Sequence, residues 1–294
     1  MTDLLRRYGV MLSTVFIMLT AFWLLLLVIL PNVYLFENSF RPYLPVTEIG
    51  GPKDVYSFSN YLTFFHSPIH ISVFFWTIFY SAAVTVICFV IAYPLAYHLS
   101  KVARPNLLPT IFLLLFIPLW VSEILRAFAW FIILALKGPL NASLIGLGLI
   151  EAPIRWISGF RGVMIGLVYT YVLFMLLPLY NAIQSLDTNQ IEAAEDLGAP
   201  WWKTHLRVIL PHSKPGIASG AVMVFMLSAG SILVPTRLAS TNSRWFTEII
   251  QQWMFESLDW NTGSAYAFLL LILCTVFVSV VMRVFRVKLS DIAK

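Results

Sequence analysis

The chain alternates between long apolar stretches and shorter polar segments. A helix needs about 20 apolar residues to cross the roughly 30 Å hydrocarbon core of a bilayer. Six stretches are long enough, and they cover residues 10–30, 71–97, 107–136, 162–186, 215–236 and 263–282. The pattern therefore predicts an all-α integral membrane protein with six transmembrane helices, forming one transmembrane domain over residues 1–294.

Composition leads to the same class of protein. Hydrophobic residues make up 60% of the chain and charged residues 11%, whereas about 25% of a soluble domain is charged. Cys88 and Cys274 both fall in apolar stretches, which favours small hydrophobic residues over a disulfide or a thiolate metal site. The histidines lack the close spacing of metal ligands. We therefore expect neither a metal site nor a cofactor.

The first apolar stretch has two interpretations, a cleaved signal peptide or a membrane-spanning helix. It is longer than the apolar core of a signal peptide, and Pro31-Asn32-Val33 makes a poor cleavage site. We therefore expect a transmembrane helix.

Basic residues near the ends of the apolar stretches predict the orientation of the chain, because cytoplasmic loops carry an excess of Lys and Arg. One side holds Arg6, Arg7, Lys101, Arg104, Lys203, Arg207, Lys214, Arg283, Arg286, Lys288 and Lys294. The other holds Arg41, Lys53, Lys137, Arg155, Arg161, Arg237 and Arg244. The first set is larger and lies in shorter loops. We therefore expect both termini, the loop at Lys101 and the 187–211 loop to be cytoplasmic.

Three longer segments fall on the opposite side. Residues 31–70 are rich in Pro, Gly and aromatic residues, and residues 138–159 contain an apolar run, 144–150, that is too short to span a bilayer. The second run favours an interfacial helix or a re-entrant turn. The third segment, residues 238–261, contains Trp245, Phe246, Trp253, Phe255 and Trp260. Such a density of aromatic residues is typical of a headgroup-level belt.

The 187–211 loop begins with a short acidic helix. Asp187 can cap that helix, and Gln190 three residues later gives a pair resembling a capping box. Gly198 suits the left-handed position that ends a helix. Charges such as Glu192 cost about 2.5–3.5 kcal/mol at a bilayer centre, so this helix lies in water or against a partner. An amphipathic helix resting on the membrane surface is the alternative.

A second short helix follows the first. Pro200 suits its first turn, Trp201 and Trp202 give it a large apolar anchor, and Pro211 ends it. Two short helices at an angle make a protruding knob.

The 187–211 loop also carries a motif. Glu192-Ala193-Ala194, Gly198 and the exit Ile209-Leu210-Pro211 resemble the EAA loop of type I ABC importer permeases. The exit is slightly shorter than the family pattern I-x-L-P. Further likenesses to the spermidine/putrescine permease branch lie in residues 93–97, 120–126 and 138–141. The resemblance extends over nearly the whole chain from the second apolar stretch onward.

The resemblance implies a fold, partners and roles. The fold would be that of type I ABC importer permeases, with a cytoplasmic coupling helix and periplasmic interfacial helices, in a bacterial inner membrane. The partners would be a second homologous permease subunit, two copies of a cytoplasmic ATPase and a solute-binding protein. The chain lacks a G-x-x-x-x-G-K-S/T phosphate loop, so a separate chain would hydrolyse ATP. The ATPase-coupling residues would be Glu192, Ala193, Ala194, Asp196, Gly198 and Trp201, and Trp201, Trp202 and Ile209 would dock the knob onto the bundle.

Two charges fall inside the third apolar stretch. Glu123 and Arg126 are three residues apart and so share one helical face. Intramembrane charges usually face the interior of a bundle, which favours a place on the translocation path. A structural ion pair bracing the helix is the alternative. Trp120, Trp130, Tyr169 and Tyr171 are further candidates for the path, and packing is the alternative for each of them.

Other functions have weaker support. An ion-driven secondary transporter would need paired halves with broken helices, and the sequence contains no convincing internal repeat. A membrane enzyme would need a convergent catalytic set, which is absent from the apolar stretches. Among substrates, a polyamine leads, while iron, thiamine, phosphonate or opine import on the same scaffold remains the alternative. Gly162 with Gly166, and Gly216 with Gly220, are candidates for close helix packing.

Overall fold

The computed structural model describes residues 2–48, 50–240 and 243–287, and these residues form helices and connecting segments without a β-strand. Lys288 and Lys294, which contributed to the predicted orientation, lie outside the described residues. The chain divides into two compact units. One comprises Met1–Ser67 with Ile250–Leu269, and the other comprises Pro68–Ile249 with Leu270–Lys294.

The smaller unit contains the first apolar helix and a segment that folds at its end. Its helices are α1 (Thr2–Leu24), α2 (Leu30–Ser39) and α3 (Ser59–His66), with a wider π-helical turn at Leu25–Ile29 joining the first two. The helix thus continues past the predicted end at Leu30, because Pro31 lies in the first turn of α2, where its missing N–H is tolerated. Asn60 ends α2 by donating to the carbonyls of Ser39 and Arg41, at 2.9 and 2.8 Å.

The larger unit contains most of the remaining helices. In chain order they are α4 (Pro68–Tyr97), α5 (Leu108–Trp120), α6 (Glu123–Leu134), α7 (Pro139–Gly146), α8 (Arg161–Gln184), α9 (Thr188–Asp196), α10 (Trp201–Thr204), α11 (Leu210–His212), α12 (Lys214–Ala229), α13 (Leu233–Leu238) and α14 (Phe246–Gln251). The last two residues of α14 belong to the smaller unit, and the last helix, α15 (Trp260–Phe285), is divided between both units. The predicted interfacial run at 144–150 overlaps α7, a helix too short to span a bilayer.

Three of the predicted spans are continuous helices. The second matches α4, the fourth matches α8 and the sixth matches α15, each within a few residues. Pro94 lies inside α4 without ending it. Within the described residues, five helical stretches are long and apolar enough to cross a membrane, namely Gly9–Ser39, Pro68–Val102, Glu123–Gly146, Arg161–Gln184 and Trp260–Phe285.

Two predicted spans are broken, which corrects their boundaries. The stretch 107–136 divides into α5 and α6 at Val121 and Ser122, and the stretch 215–236 divides into α12 and α13 at residues 230–232. Pro118 removes a helical hydrogen bond just before the first break. Gly230, whose helix-forming tendency is low, lies at the second. The apolar helices Pro105–Trp120 and Lys214–Ala229 are consequently shorter than the others.

Close packing of α8 against α12 forms the centre of the larger unit. A Cβ atom added to Gly216 would lie 2.5 Å from the carbonyl oxygen of Pro178, and one added to Gly220 would lie 2.7 Å from the sulfur of Met175. A Cβ on Gly166 would lie 2.5 Å from a methyl group of Leu238. The predicted role of these small residues in helix packing is therefore confirmed. The arrangement fixes α12 against α8 along the length where the candidate site lies.

Candidate functional site

The acidic helix α9 is capped at its beginning by Asp187. The side chain of Asp187 accepts a hydrogen bond from the backbone amide of Asn189 at 3.0 Å. This contact satisfies one of the amides that a helix leaves without an internal partner. The cap was predicted, but the amide it uses is that of Asn189 rather than that of Gln190. The Gln190 amide instead donates to the backbone carbonyl of Asp187 at 3.1 Å.

Gly198 ends α9 in the left-handed conformation that the sequence predicted. Its φ is +75°, and its amide donates to the carbonyl of Glu195 at 2.8 Å. The next amide, that of Ala199, donates to the carbonyl of Ala194 at 3.0 Å. These two bonds form a Schellman motif, and residues with a Cβ adopt its left-handed position only at a cost.

A second helical segment follows Gly198 and runs from Trp201 to His212. It consists of α10, a π-helical turn at His205–Ile209 and α11. The segment therefore includes Pro211 and ends one residue after it, instead of ending at the proline. Pro200 precedes the first helical residue in an extended conformation.

The burial of the apolar residues in the 187–211 loop differs from the expectation. Ile209 is fully buried, as expected for a residue that anchors the loop, but Trp201 is 75% exposed and Trp202 is 48% exposed. Ile191, which the sequence analysis did not single out, is the buried residue of α9. The loop is thus held by two isoleucines, and its tryptophans remain on the surface together with Leu197, which is 89% exposed.

His205 connects the 187–211 loop to α4. Its Nδ1 atom lies 2.7 Å from the hydroxyl of Tyr93, and its ring packs edge-on against Tyr97 with the centroids 4.6 Å apart. Burial lowers the pKa of His205 below its ordinary value. No local sequence pattern signals this contact, because the partners are more than a hundred residues apart.

Lys101 makes a second connection to the same region. Its ammonium group donates to the carbonyl of Leu186 and to that of Gln184, the latter at 3.5 Å. A cation near the carboxyl end of α8 is favourable both for the free carbonyls and for the helix dipole. Lys101 and the 187–211 loop therefore lie at the same end of the larger unit, as the charge pattern predicted.

Glu123 and Tyr171 meet in a pocket at the break between α12 and α13. The Tyr171 hydroxyl donates to Oε1 of Glu123 at 3.1 Å. The pocket has a volume of about 290 Å³. Its walls are formed by Glu123, Tyr171, Met226, Leu227, Gly230, Ser231, Ile232 and Leu233. We call this space the Glu123 pocket.

Two polar atoms near the Glu123 pocket have no hydrogen-bond partner among the described residues. They are Oγ of Ser231, which lines the pocket, and Nε of Arg126. The ion pairs found within the described residues do not include one between Glu123 and Arg126, although the two share a face of α6. Glu123 therefore contacts Tyr171 rather than forming the bracing ion pair that was the alternative interpretation.

The other candidates for the path lie elsewhere. Trp120 ends α5 and is 78% exposed, and it does not line the Glu123 pocket. Trp130 packs edge-on against Tyr169, with ring centroids 5.3 Å apart. Tyr169 and Tyr171 are two residues apart on α8 and so point in different directions. The structure thus brings Glu123 and Tyr171 together, and it adds Ser231.

A second, larger pocket lies farther along the same two helices. It has a volume of about 650 Å³ and is lined by Phe174, Leu177, Pro178, Asn181, Ala182, Ser185, His212, Pro215, Gly216, Ser219 and Met223. On α8, residues 171, 174, 178 and 181 recur at helical spacing, followed by residue 185 just after the helix, so one face of the helix serves both pockets. The two pockets are spread over about 20 Å of α8. We call the two pockets together the α8–α12 groove, and they lie along α8 between Glu123 and the end that carries the 187–211 loop.

The segment after α13 folds back onto α12. Nε1 of Trp245 donates to the carbonyl of Ser228 at 3.0 Å, and Oγ1 of Thr247 donates to the carbonyl of Ser231 at 2.6 Å. Trp245 and Phe246 are fully buried, so the prediction of an interfacial belt is wrong for these two. Phe255 and Trp260 are exposed, as such a belt requires. Burial raises the pKa of Glu248, whose carboxylate accepts from the Trp245 amide at 2.7 Å.

Asn141 holds the segment between α6 and α8. It is almost fully buried, and its side chain donates to the carbonyls of Leu136 and Ile154, at 3.1 and 2.9 Å. Its Oδ1 accepts from the amide of Ile154 and from the indole of Trp156. Asn141 belongs to the motif Gly138-Pro139-Leu140-Asn141, and its network supplies a structural reason for that motif.

Residues suited to bind a metal are not grouped. Within the residues that the structure describes, no three His, Cys, Asp or Glu side chains come together. Cys88 is buried with its sulfur 3.8 Å from the carbonyl of Val168, and Cys274 is partly buried. The chemistry available in the Glu123 pocket is therefore that of hydrogen bonding and charge.

Comparison with known proteins places these features in a family. A family model described as "Binding-protein-dependent transport system inner membrane component" matches residues 88–290. The spermidine/putrescine transport system permease protein PotB of Haemophilus influenzae is 34% identical over 265 residues, which cover 89% of this chain and 90% of that protein. PotB of Escherichia coli K12 is 33% identical over 264 residues, covering 90% and 94% of the two chains.

Solved structures share the fold at lower identity. A bacterial alginate ABC transporter, solved with its pentasaccharide-bound periplasmic protein, contains a chain that matches with a TM-score of 0.74 at 18% identity, covering 98% of this chain and 99% of that one. The MetNI methionine ABC transporter matches with a TM-score of 0.56 at 20% identity, covering 74% and 94%. At these identities the likeness concerns the fold alone.

Proposed function

The chain belongs to the family of binding-protein-dependent transport system inner membrane components and is a permease subunit of an ABC importer, and we propose that it imports polyamines. Its fold is that of the type I importer permeases. The observation that carries the substrate proposal is the likeness to spermidine/putrescine permeases, which runs through nearly the whole chain. A carboxylate in the Glu123 pocket suits a cationic substrate.

The knob formed by α9 and the following helix is proposed to couple transport to ATP hydrolysis. The side chains of Glu192, Ala193 and Asp196 are exposed on α9, and Leu197 and Trp201 are exposed just beyond it. Exposed apolar residues rimmed by charge are typical of a protein interface. They would insert into a groove on an ATPase subunit, with Ala194 and Gly198 setting the shape of the knob.

Movement of the knob would reach the membrane helices through three connections. Ile191 and Ile209 are buried against the bundle, His205 is bonded to Tyr93 on α4, and Lys101 holds the end of α8. Closure of two ATPase subunits would then move α4, α8 and α12 as packed helices rather than bending them. The α8–α12 groove, which these helices border, would open and close as the substrate path.

The family supports a proposal for the remaining components. We propose that residues 1–294 form one permease domain that pairs with a second permease subunit, two ATPase copies and a periplasmic or lipid-anchored solute-binding protein. The basic residues at the knob end support a cytoplasmic location for this end and for both termini. Since the sequence lacks a phosphate-binding loop, ATP hydrolysis is assigned to the ATPase chains.

Replacement of Gly198 by valine tests the coupling role. A β-branched residue at φ +75° is strained, although no atom lies within 4 Å of a Cβ at this position. We expect the complex to assemble normally. Its rate of ATP-driven uptake should fall at least tenfold, and so should the stimulation of its ATPase activity by loaded binding protein. Glu192→Lys is expected to act in the same direction.

The matched control is Gly148→Val, because Gly148 also has a positive φ, +69°, and open space around it, but lies away from the knob. This variant should retain stimulated ATPase activity. Normal stimulation in Gly198→Val and Glu192→Lys would contradict the coupling role.

The substrate proposal is tested by reconstitution of the chain with its partner subunits and binding protein in proteoliposomes. We expect ATP-dependent accumulation of radiolabelled spermidine and competition by putrescine. Uptake of thiamine, a phosphonate, an opine or ferric iron in place of spermidine would reject the polyamine proposal and leave the permease assignment intact.

A further inference from the structure

The Glu123 pocket combines a charged acceptor with two neutral groups. Glu123 is the first residue of α6, and its carboxylate is held by the Tyr171 hydroxyl at 3.1 Å. Ser231 also lines the pocket, at the point where α12 has ended and α13 has not begun. Charged side chains within a membrane protein are costly and usually mark a path for ions or substrates.

The hydroxyl of Ser231 is the observation that points to a ligand. Only 5% of this residue is exposed, and its Oγ atom has no hydrogen-bond partner within the described residues. A buried polar group without a partner costs about 1–3 kcal/mol, which is why such groups are rare in folded proteins. Ser231 lines the same pocket as Glu123. A ligand that drew this hydroxyl toward the pocket would give it a partner and would also meet the Glu123 carboxylate.

The acceptors of the pocket match an ammonium group. A primary ammonium offers three donors and no acceptor. The carboxylate of Glu123 and the oxygens of Tyr171 and Ser231 accept such donors, and the apolar side chains of Met226, Leu227 and Ile232 surround the aliphatic chain next to the nitrogen. A volume of about 290 Å³ is at the lower limit for small-molecule pockets, so it suits one end of an aminoalkyl chain.

Arg126 limits how tightly a cation binds. Its side chain is near enough to Tyr171 to act on that residue electrostatically, yet it does not line the pocket. A transport site must bind its substrate strongly enough to admit it and weakly enough to release it. The positive charge of Arg126 repels a bound cation and so favours its release.

We propose that Glu123, Tyr171 and Ser231 form a binding site for one terminal ammonium group of the substrate within the permease. The proposal rests on the polyamine function proposed above and adds a selecting site to this chain. The substrate then leaves along the α8–α12 groove, which the first pocket shares with the larger one.

Spermidine binding to the complete permease–ATPase complex in nanodiscs, measured without binding protein, tests the site. The wild-type complex is expected to bind radiolabelled spermidine. Glu123→Gln should weaken this binding at least tenfold, because the amide keeps the shape and loses the charge. Ser231→Ala should weaken it about threefold, because it removes an acceptor of the ammonium group. Arg126→Gln should strengthen it by a similar factor, because it removes a positive charge that repels the cation.

Glu151→Gln is the matched control, because Glu151 is an exposed carboxylate in the segment between α7 and α8. It should bind spermidine as the wild type does. Thermal unfolding of every variant separates loss of the site from loss of the fold, and the opposite signs expected for Ser231→Ala and Arg126→Gln cannot come from misfolding.

The failure of this proposal is distinguishable from failure of the polyamine function. A complex that imports spermidine but shows no binding without the binding protein, or equal binding in Glu123→Gln and the wild type, overturns the site alone. A wild-type complex that imports no polyamine overturns both proposals. Weakened binding in Glu123→Gln with unchanged binding in Glu151→Gln supports the site.

Discussion

The chain interrupts its helices at two places that carry candidate functional residues, and the two interruptions are stabilised in different ways. The 187–211 loop is bounded by neighbours in sequence, since Asp187 caps α9 through Asn189 and Gly198 closes it. The break after α12 depends on side chains from a distant segment, because Trp245 donates to the carbonyl of Ser228 and Thr247 donates to that of Ser231. Local sequence therefore describes the first interruption but not the second.

Loss of a local cap and loss of a distant hydrogen-bond donor should also differ in their effect on stability. Residues around the caps of α9 are mostly exposed, so water can replace a lost hydrogen bond. Thr247 and Ser231 are buried, and a carbonyl that loses its donor there has no substitute. Removing a distant donor should thus cost more stability than removing a local cap.

Thr247→Val is expected to have the largest effect on stability. Valine has nearly the shape of threonine, so the main change is loss of the 2.6 Å bond to the Ser231 carbonyl. The free energy of unfolding should fall by about 1–3 kcal/mol. Thermal and denaturant unfolding of the purified protein in detergent measure it.

Thr236→Val is the control for this experiment. The Thr236 hydroxyl also donates at 2.6 Å, to the carbonyl of Ile232, but it is exposed and that carbonyl also accepts the Thr236 amide at 3.1 Å. A change within about 0.5 kcal/mol is expected. Equal losses in both variants would remove the difference between the two interruptions.

The fold was predictable where one apolar run makes one helix. The helices α4, α8 and α15 match the predicted spans, since length and hydropathy are sufficient for them. The breaks in the third and fifth spans were missed because their neighbours are apolar too. Pro118 and Gly230 are tolerated inside many membrane helices, and only tertiary contacts decide whether the helix stops there.

The features of the candidate site also differ in how far the sequence predicts them. The sequence was sufficient for the helix start at Asp187 and the turn at Gly198, because both devices act within a few residues. Pairing of Glu123 with Tyr171 joins residues 48 positions apart, and the contribution of Ser231 requires the break in the fifth span. Aromatic residues such as Trp245 resembled an interfacial belt, since composition does not report that a segment folds back.

Asp187→Ala tests the local side of the comparison and should have a smaller effect. Loss of an N-cap costs about 1 kcal/mol, which is roughly a fivefold change in the equilibrium for opening the first turn. Hydrogen exchange of the α9 amides, beginning with Asn189, measures this change. Asp196→Ala at the other end of α9 is the control, because that carboxylate caps no amide among the described contacts. Equal exchange in the two variants would argue against the cap.

The smallest expected effect concerns His205, which lies in the locally capped loop but depends on the distant Tyr93. Burial lowers the pKa of His205 from 6.5, so the folded protein holds the neutral imidazole more firmly than the unfolded chain does. Above the ordinary pKa both states are neutral and the stability contribution is complete. As the pH falls, the unfolded chain binds a proton first, and stability decreases until the folded-state pKa is also passed.

The thermal midpoint of the purified protein, measured from about pH 8 to about pH 5, should therefore fall on acidification. His205→Gln removes the titrating group and should flatten part of this slope, whereas His66→Gln, at an exposed position, should leave it unchanged. The imidazole lies next to Tyr93, Tyr97 and Trp201, none of which changes charge in this range, so the slope can be assigned to His205. If the thermal midpoint changes with pH equally in the wild type and in His205→Gln, the contact of His205 with Tyr93 does not contribute to the stability of the loop.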